Sequence, residues 1–272
     1  MFENFKIICP VCGRELKDNE KSLICPKGHC FDRARQGYIN LLPVQNKHSL
    51  SPGDAKDMLL ARRAFLERGD YQPLCMDAAE KIQRFCRSDT PVMVDVGCGE
   101  GYYTAAIEKT CHACCMGMDI AKEAAKMACA RSKSILWTVG TASHIPLADN
   151  SADVVLAVFS LFVNDEYARI LKKGGIVVEI TAGSGHLREM KDIIYEDVFQ
   201  QDKHPAPCGE QFEICLTEEN KFTFDLNNEA LRELLAMTPH SRRMKKERME
   251  QIAAIDHLSL TADYIIRVLR NH

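Results

Sequence analysis

The sequence predicts an α/β fold, a doubly wound parallel sheet covered by helices, with a small cysteine-rich module in front of it. Two observations carry this expectation. From about residue 91, short apolar runs alternate with helical patterns, the signature of βαβ units. Before residue 41, the chain is instead rich in Cys, Gly and charge and too short to build a core unaided. A chain of 272 residues that is 46% hydrophobic and 27% charged can fill one sizeable core and still carry such an appendage. The expected division is a small module over residues 1–40, a linker with connecting helices over 41–88, and the α/β domain over 89–272.

Within the module, Cys9-Pro-Val-Cys12 and Cys25-Pro-Lys-Gly-His29 give the spacing C-x2-C-x12-C-x3-H. Three thiolates and an imidazole form a closed tetrahedral set, which is the chemistry of structural zinc, and binding the ion supplies the folding energy so short a segment lacks. Cys30 adjoins His29, so either residue can fill the fourth position. Residues 41–53, LLPVQNKHSLSPG, have the composition of a linker. The pattern from 55 to 69 is helical, with Arg62, Arg63 and Arg68 among Leu, Ala and Phe, and these arginines read as phosphate contacts or as a solvated face.

In the α/β region the expected strands are VMVDV, CCMGMD, SILWTV, VVLAVF and IVVEIT, with helices from Tyr102, from Ala121 and around Tyr167. Beyond Gly183 the pattern weakens to a helical stretch over 186–199, two strands at 211–216 and 221–226, and an apolar run at 258–269. The segment Cys111-His112-Ala113-Cys114-Cys115 runs straight into an apolar strand and reads as a buried strand entry, with no second cysteine pair to make it a metal site.

The first strand opens into Asp95-Val96-Gly97-Cys98-Gly99-Glu100-Gly101-Tyr102. Glycines here let backbone approach a ligand, but tyrosine stands where a dinucleotide fingerprint needs its third glycine, and acids flank the loop. Asp95 and Glu100 would repel a diphosphate and suit an ammonium. Asp119, at the end of the second strand, is placed to accept both hydroxyls of a ribose. Together these features predict S-adenosylmethionine as the cofactor, held by Gly97, Gly99, Glu100 and Asp119.

Composition bounds the setting. No apolar run approaches the roughly 20 residues that span a bilayer, and the start lacks the layout of a secretory signal, so no membrane partner and a soluble, cytoplasmic protein are expected. Thirteen cysteines, several inside apolar runs, suit a reducing compartment. Net charge is −3, but residues 1–70 hold 12 Lys and Arg against 9 Asp and Glu, while the remainder holds 23 against 29. If nucleic acid binds, the N-terminal part is the expected landing surface.

The chain resembles the bacterial 23S rRNA (guanine-N1-)-methyltransferases that carry an N-terminal zinc module. The resemblance runs over nearly the whole chain, through CPVCG, CPKGHCFD, GYINLLPVQ, ARRAFLERGDYQPL, DVGCGEGYYT, GHLREMKDIIY and the MTP at 237–239. It implies a Rossmann-like methyltransferase domain behind a zinc-binding module that helps hold RNA. It also implies zinc on Cys9, Cys12, Cys25 and His29, and cofactor contacts from Gly99, Glu100, Asp119, Tyr71 and His186. The implied substrate is a hairpin-loop guanine of 23S rRNA, and the implied assembly is a homodimer.

There are two departures from the family pattern. Phe159-Ser160-Leu161-Phe162 lacks a proline after the fourth strand, and His240 replaces an aromatic after MTP. Both positions are expected at the acceptor pocket.

The expected reaction needs no covalent nucleophile, since orientation of an acceptor against an activated methyl contributes roughly 7–11 kcal/mol. A base turned out of its stack must still lose its N1 proton. Glu179, Asp165 and His240 are candidate acceptors of that proton, and no spacing singles one out. Arg242, Arg243, Lys245, Lys246 and Arg248 form a basic cluster that reads as a phosphate contact or a solvated helix face. The rival readings are a small-molecule methyltransferase of the same fold and an inactive zinc-dependent assembly factor.

Overall fold

The computed structural model describes residues 4–46, 52–195, 204–238 and 246–272. Strands β1 (Lys17–Asp18), β2 (Ser22–Ile24) and β3 (Cys30–Asp32) form a three-stranded antiparallel sheet. Its apolar side is not closed on itself. Ile7, Cys9, Leu16, Leu23 and Cys25 are buried in one cluster with Leu147, Val94 and Met116 of the larger domain. The Ile8 N–H donates to Pro146 O at 3.0 Å and the Ala148 N–H to Lys6 O at 2.8 Å, so the module is hydrogen-bonded onto its neighbour.

A fourth strand from this region goes further. β4 (Ile39–Asn40) pairs in parallel with β7 (Leu136–Val139) and extends the main sheet. The remaining strands are β5 (Val92–Val96), β6 (Cys114–Asp119), β8 (Ala152–Val158), β9 (Leu171–Ala182), β10 (Phe212–Asn227) and β11 (His257–Asn271). Their order is β10-β11-β9-β8-β5-β6-β7-β4, with β10 and β11 antiparallel and the rest parallel. The five strands expected between residues 92 and 181 all form. Residues 212–227 make one strand with a register shift between Ile214 and Leu216, in place of the two short strands expected there. A doubly wound sheet of this order has its crevice where β5 lies between β6 and β8, at their carboxyl ends.

Helices α1 (Lys56–Glu67) and α2 (Gln72–Phe85) precede the sheet, and α3 (Tyr102–Cys111), α4 (Lys122–Ala128) and α5 (Asn164–Ile170) connect its parallel strands. The region expected to be helical over 186–199 yields α6 (Arg188–Ile194), and residues 196–199 lie outside the described residues. α7 (Asn228–Ala236) is capped by Asn227, whose Oδ1 accepts the Ala230 N–H at 3.0 Å, an oxygen donated to an otherwise orphan amide. α8 spans Lys246–Ala253. No described helix is long and apolar enough to cross a membrane.

A buried charge pair joins two strands of the sheet. Arg267 on β11 faces Glu179 on β9, with Nε donating to Oε2 at 2.7 Å, and both residues are buried. This places Glu179 in the core rather than at a reaction site. Glu179→Ala is expected to lower unfolding stability by about 3–5 kcal/mol, because it strands a buried arginine. A urea melt reads this directly; an unchanged midpoint with lost turnover would return Glu179 to the chemistry.

Candidate metal centre and cofactor site

Cys9, Cys12, Cys25 and His29 come together with all four ligand atoms within 4.8 Å of one another. Cys12 Sγ and Cys25 Sγ are 3.7 Å apart, and His29 Nδ1 lies 3.5 Å from Cys9 Sγ and 3.3 Å from Cys25 Sγ. Bonds of the usual zinc lengths at tetrahedral angles put ligand atoms about 3.5–3.8 Å apart, so the donor set fits the ion in spacing as well as in chemistry. Cys30 is exposed and turns to Asp32, which makes His29 the fourth ligand. Burial raises the Cys25 thiol's pKa, but hydrogen bonds from the His29 and Lys27 backbone bring it down to about 6, toward the thiolate a metal requires.

The second site is a cavity of about 450 Å3 at the carboxyl ends of β5, β6 and β8. Gly97, Gly99 and Gly101 all take positive φ, between 56° and 87°, which bends the chain from β5 into α3. The tight fit excludes side chains: a Cβ on Gly101 would lie 2.6 Å from the Trp137 ring. All six residues expected to hold the cofactor, Tyr71, Gly97, Gly99, Glu100, Asp119 and His186, line this one cavity.

Their roles are set by their partners. Asp119 Oδ2 accepts the Gly99 N–H at 2.9 Å and Oδ1 the Ala121 N–H at 2.7 Å. The carboxylate is thereby fixed in direction and keeps lone pairs for two hydroxyls. Tyr71, at the N-cap of α2, has its hydroxyl 3.2 Å from His186 Nε2. His186 Nδ1 lies 2.8 Å from the backbone oxygen of Asp263. That oxygen only accepts, so Nδ1 carries the proton and Nε2 accepts from Tyr71.

Glu100 differs from its expected use. Its buried carboxylate accepts from Arg63 at 2.9 Å and from Arg131 at 2.7 and 2.8 Å, so the charge expected to meet an ammonium is already matched by two guanidiniums. Asp95 remains as the acid of the strand end. Burial, with the charge of Asp119, raises its pKa to about 7 despite a hydrogen bond from Thr104.

Of the three candidate proton acceptors, Glu179 lies in the core and Asp165 sits on α5, where Gln211 Nε2 donates to it at 3.3 Å. His240 lies outside the described residues, as do Arg242, Arg243 and Lys245 of the basic cluster. Sequence reading missed Gly53, Asp54 and the inward direction of Arg62, all of which line the cavity. Nothing in the linker composition marks them. Arg68 pairs with Asp70.

Residues 7–50 match the family described as RlmA, N-terminal, and residues 94–178 match a methyltransferase domain. A 23S rRNA (guanine(748)-N(1))-methyltransferase of Streptomyces fradiae is 29% identical over 268 residues, 95% of each chain. A Bacillus subtilis (strain 168) protein, provisionally named a 23S rRNA (guanine-N(1)-)-methyltransferase, is 28% identical over 273 residues. It covers 96% of this chain and 95% of its own. A Micromonospora griseorubida protein with the same provisional name is 34% identical over 203 residues, 68% of each chain. The chain belongs to the 23S rRNA (guanine-N1-)-methyltransferase family. As a methyltransferase of this family it uses S-adenosylmethionine, and it carries structural zinc, for which the cluster of three thiolates and His29 is a fitting donor set.

The zinc ligands Cys9 and Cys25 share a core with the main sheet, so the metal supports more than its own loop. Chelation, or Cys25→Ser, is expected to lower the melting midpoint of the whole protein by about 5 °C or more. Differential scanning fluorimetry alongside zinc content checks this; an unchanged midpoint in a zinc-free sample would contradict the shared core.

Proposed function

We propose that this protein transfers the methyl group of S-adenosylmethionine to N1 of a guanine in a hairpin loop of 23S rRNA, with the zinc module helping to hold the RNA. The observation that carries the reading is the cavity's mixed lining, in which Asp119 and the glycine loop share one space with the apolar Phe159, Leu187 and Met237. Phe159 is 42% exposed and Leu161, two residues on, is 71% exposed, so an apolar lip stands at the mouth. A base turned out of a loop needs such a lip to replace its lost stacking.

Bound S-adenosylmethionine supplies an already activated methyl. The protein's own part is orientation: Asp119 sets a carboxylate in the cavity wall, the glycine loop admits close approach, and the aromatic residues Tyr71, Phe159 and His186 shape the space. The same reading places the protein in the cytoplasm, on rRNA, as a homodimer with residues 1–40 as its RNA-recognition module and 89–272 as its catalytic domain. The net positive balance of residues 1–70 supports that landing surface.

A methyl on guanine N1 blocks Watson–Crick pairing and halts reverse transcription. Primer extension across 23S rRNA from a gene-deletion strain is expected to lose one stop present in the parent. Identical stops would shift the reading to a small-molecule acceptor.

The titration of Asp95 gives a second expectation. With a pKa near 7 it is largely protonated below neutrality, whereas a cationic ammonium beside it favours the carboxylate. Affinity for S-adenosylhomocysteine should therefore rise with pH up to about 7 and level off above it, with binding at pH 6 roughly tenfold weaker than at pH 8. Isothermal titration tests this; a flat profile, or one that survives in Asp95→Asn, would remove Asp95 from the ammonium.

A further inference from the structure

Among the described residues the cavity is lined by four acids, Asp54, Asp95, Glu100 and Asp119, and by a single arginine, Arg62. The polar groups of the cofactor include ribose hydroxyls, an ammonium and an α-carboxylate. Asp119 suits the first and Asp95 the second. An anion in an acid-lined cavity needs a cation, and among the described residues Arg62 is the one arginine or lysine in the lining.

Its placement follows from the helix that carries it. Leu59, Arg62 and Leu66 are spaced i, i+3 and i+7 on α1, which puts them on one face, and Leu59 and Leu66 are buried. Arg62 is thereby turned inward, while its neighbour Arg63 reaches Glu100. The Arg62 guanidinium lies against the glycine loop, where a Cβ on Gly99 would be 3.4 Å from Nη1. Its Nη2 is 2.7 Å from Asp54 Oδ2. A guanidinium has five N–H donors in a planar fork, so the pair with Asp54 fixes its plane and leaves donors over the cavity.

We infer that Arg62 binds the α-carboxylate of the cofactor, with Asp54 as the residue that positions it. The inference rests on the cavity holding S-adenosylmethionine. It gives the connection between the zinc module and the methyltransferase domain a direct part in cofactor recognition: Gly53, Asp54, Arg62 and Leu66 all belong to that connection and all line the cavity.

The test is isothermal titration of the full-length, zinc-loaded protein with S-adenosylhomocysteine and with its analogue lacking the carboxylate. Arg62→Ala is expected to weaken S-adenosylhomocysteine at least tenfold, the loss typical of a charge-assisted bond, while wild type and variant bind the decarboxylated analogue equally. Arg62→Lys should restore part of the affinity, as a point charge without the fork. Melting curves of each variant separate lost binding from lost folding, and Asp54→Asn, which leaves the arginine in place, should weaken S-adenosylhomocysteine less than Arg62→Ala does. Equal binding of S-adenosylhomocysteine by wild type and Arg62→Ala overturns the inference, as does an equal loss for both ligands. If wild type binds neither ligand, the cofactor reading of the cavity itself falls.

Discussion

Glu100 is a buried carboxylate held by two arginines from different parts of the chain, and much of the site's geometry depends on that contact. A lone charge at this depth would cost several kcal/mol, so the loop can keep Glu100 only where both guanidiniums reach it. Arg63 comes from α1, ahead of the sheet, and Arg131 from the turn after α4. The pairing therefore ties the glycine loop to α1 and to the β6–β7 connection at once. Arg131 also lies over the Tyr102 ring, 5.5 Å from its centroid, which braces the first turn of α3. With α1 fixed in this way, Leu66 and Arg62 become a wall of the cavity rather than part of a mobile linker.

The small module is coupled to the same frame by a different force. Its three short strands cannot bury enough apolar surface alone, and zinc supplies a local staple. The remaining deficit is made up by sharing: Ile7 and Leu23 pack into the cluster that holds Val94 of β5 and Met116 of β6. β4 then pairs in parallel with Thr138 and Val139 of β7, which covers the end of that strand's edge. Metal, module and sheet thus form one folding unit, although the sequence divides by composition near residue 40.

Much of this was legible in advance because the parallel strands are buried on both faces and read as continuous apolar runs, as in VMVDV and VVLAVF. The metal ligands were legible for a different reason, since chelation imposes fixed spacing. The long β10 was read as two strands because Thr217 to Asn220 interrupt its apolar pattern; hydrogen bonding to β11 carries the strand through them, a tertiary constraint no local propensity reports. The direction of Arg62 and Arg63 was also hidden. A basic residue on a helix reads as solvated unless its buried acid is known, and Glu100 lies 37 residues from Arg63. Tyr71 and His186, 115 residues apart, became candidates through family resemblance and not through their spacing.

The meeting of two loops at the cavity explains why Gly97 cannot be replaced by another small residue. A Cβ on Gly97 would lie 2.7 Å from Ser160 Cβ, so the loop after β8 rests directly on the loop after β5. Beside that contact Phe159 takes a φ of 51°, a conformation costing about 1–2 kcal/mol for a residue with a side chain. The cost is held by its surroundings: the Phe159 N–H donates to Ile180 O at 2.8 Å, and its ring sits 5.5 Å from His186 and 6.5 Å from Tyr71. The strained residue is therefore fixed at the mouth by the same aromatic group that lines the cofactor cavity. Gly97, by lacking a Cβ, is the residue that lets the loop after β5 and the loop after β8 meet in van der Waals contact.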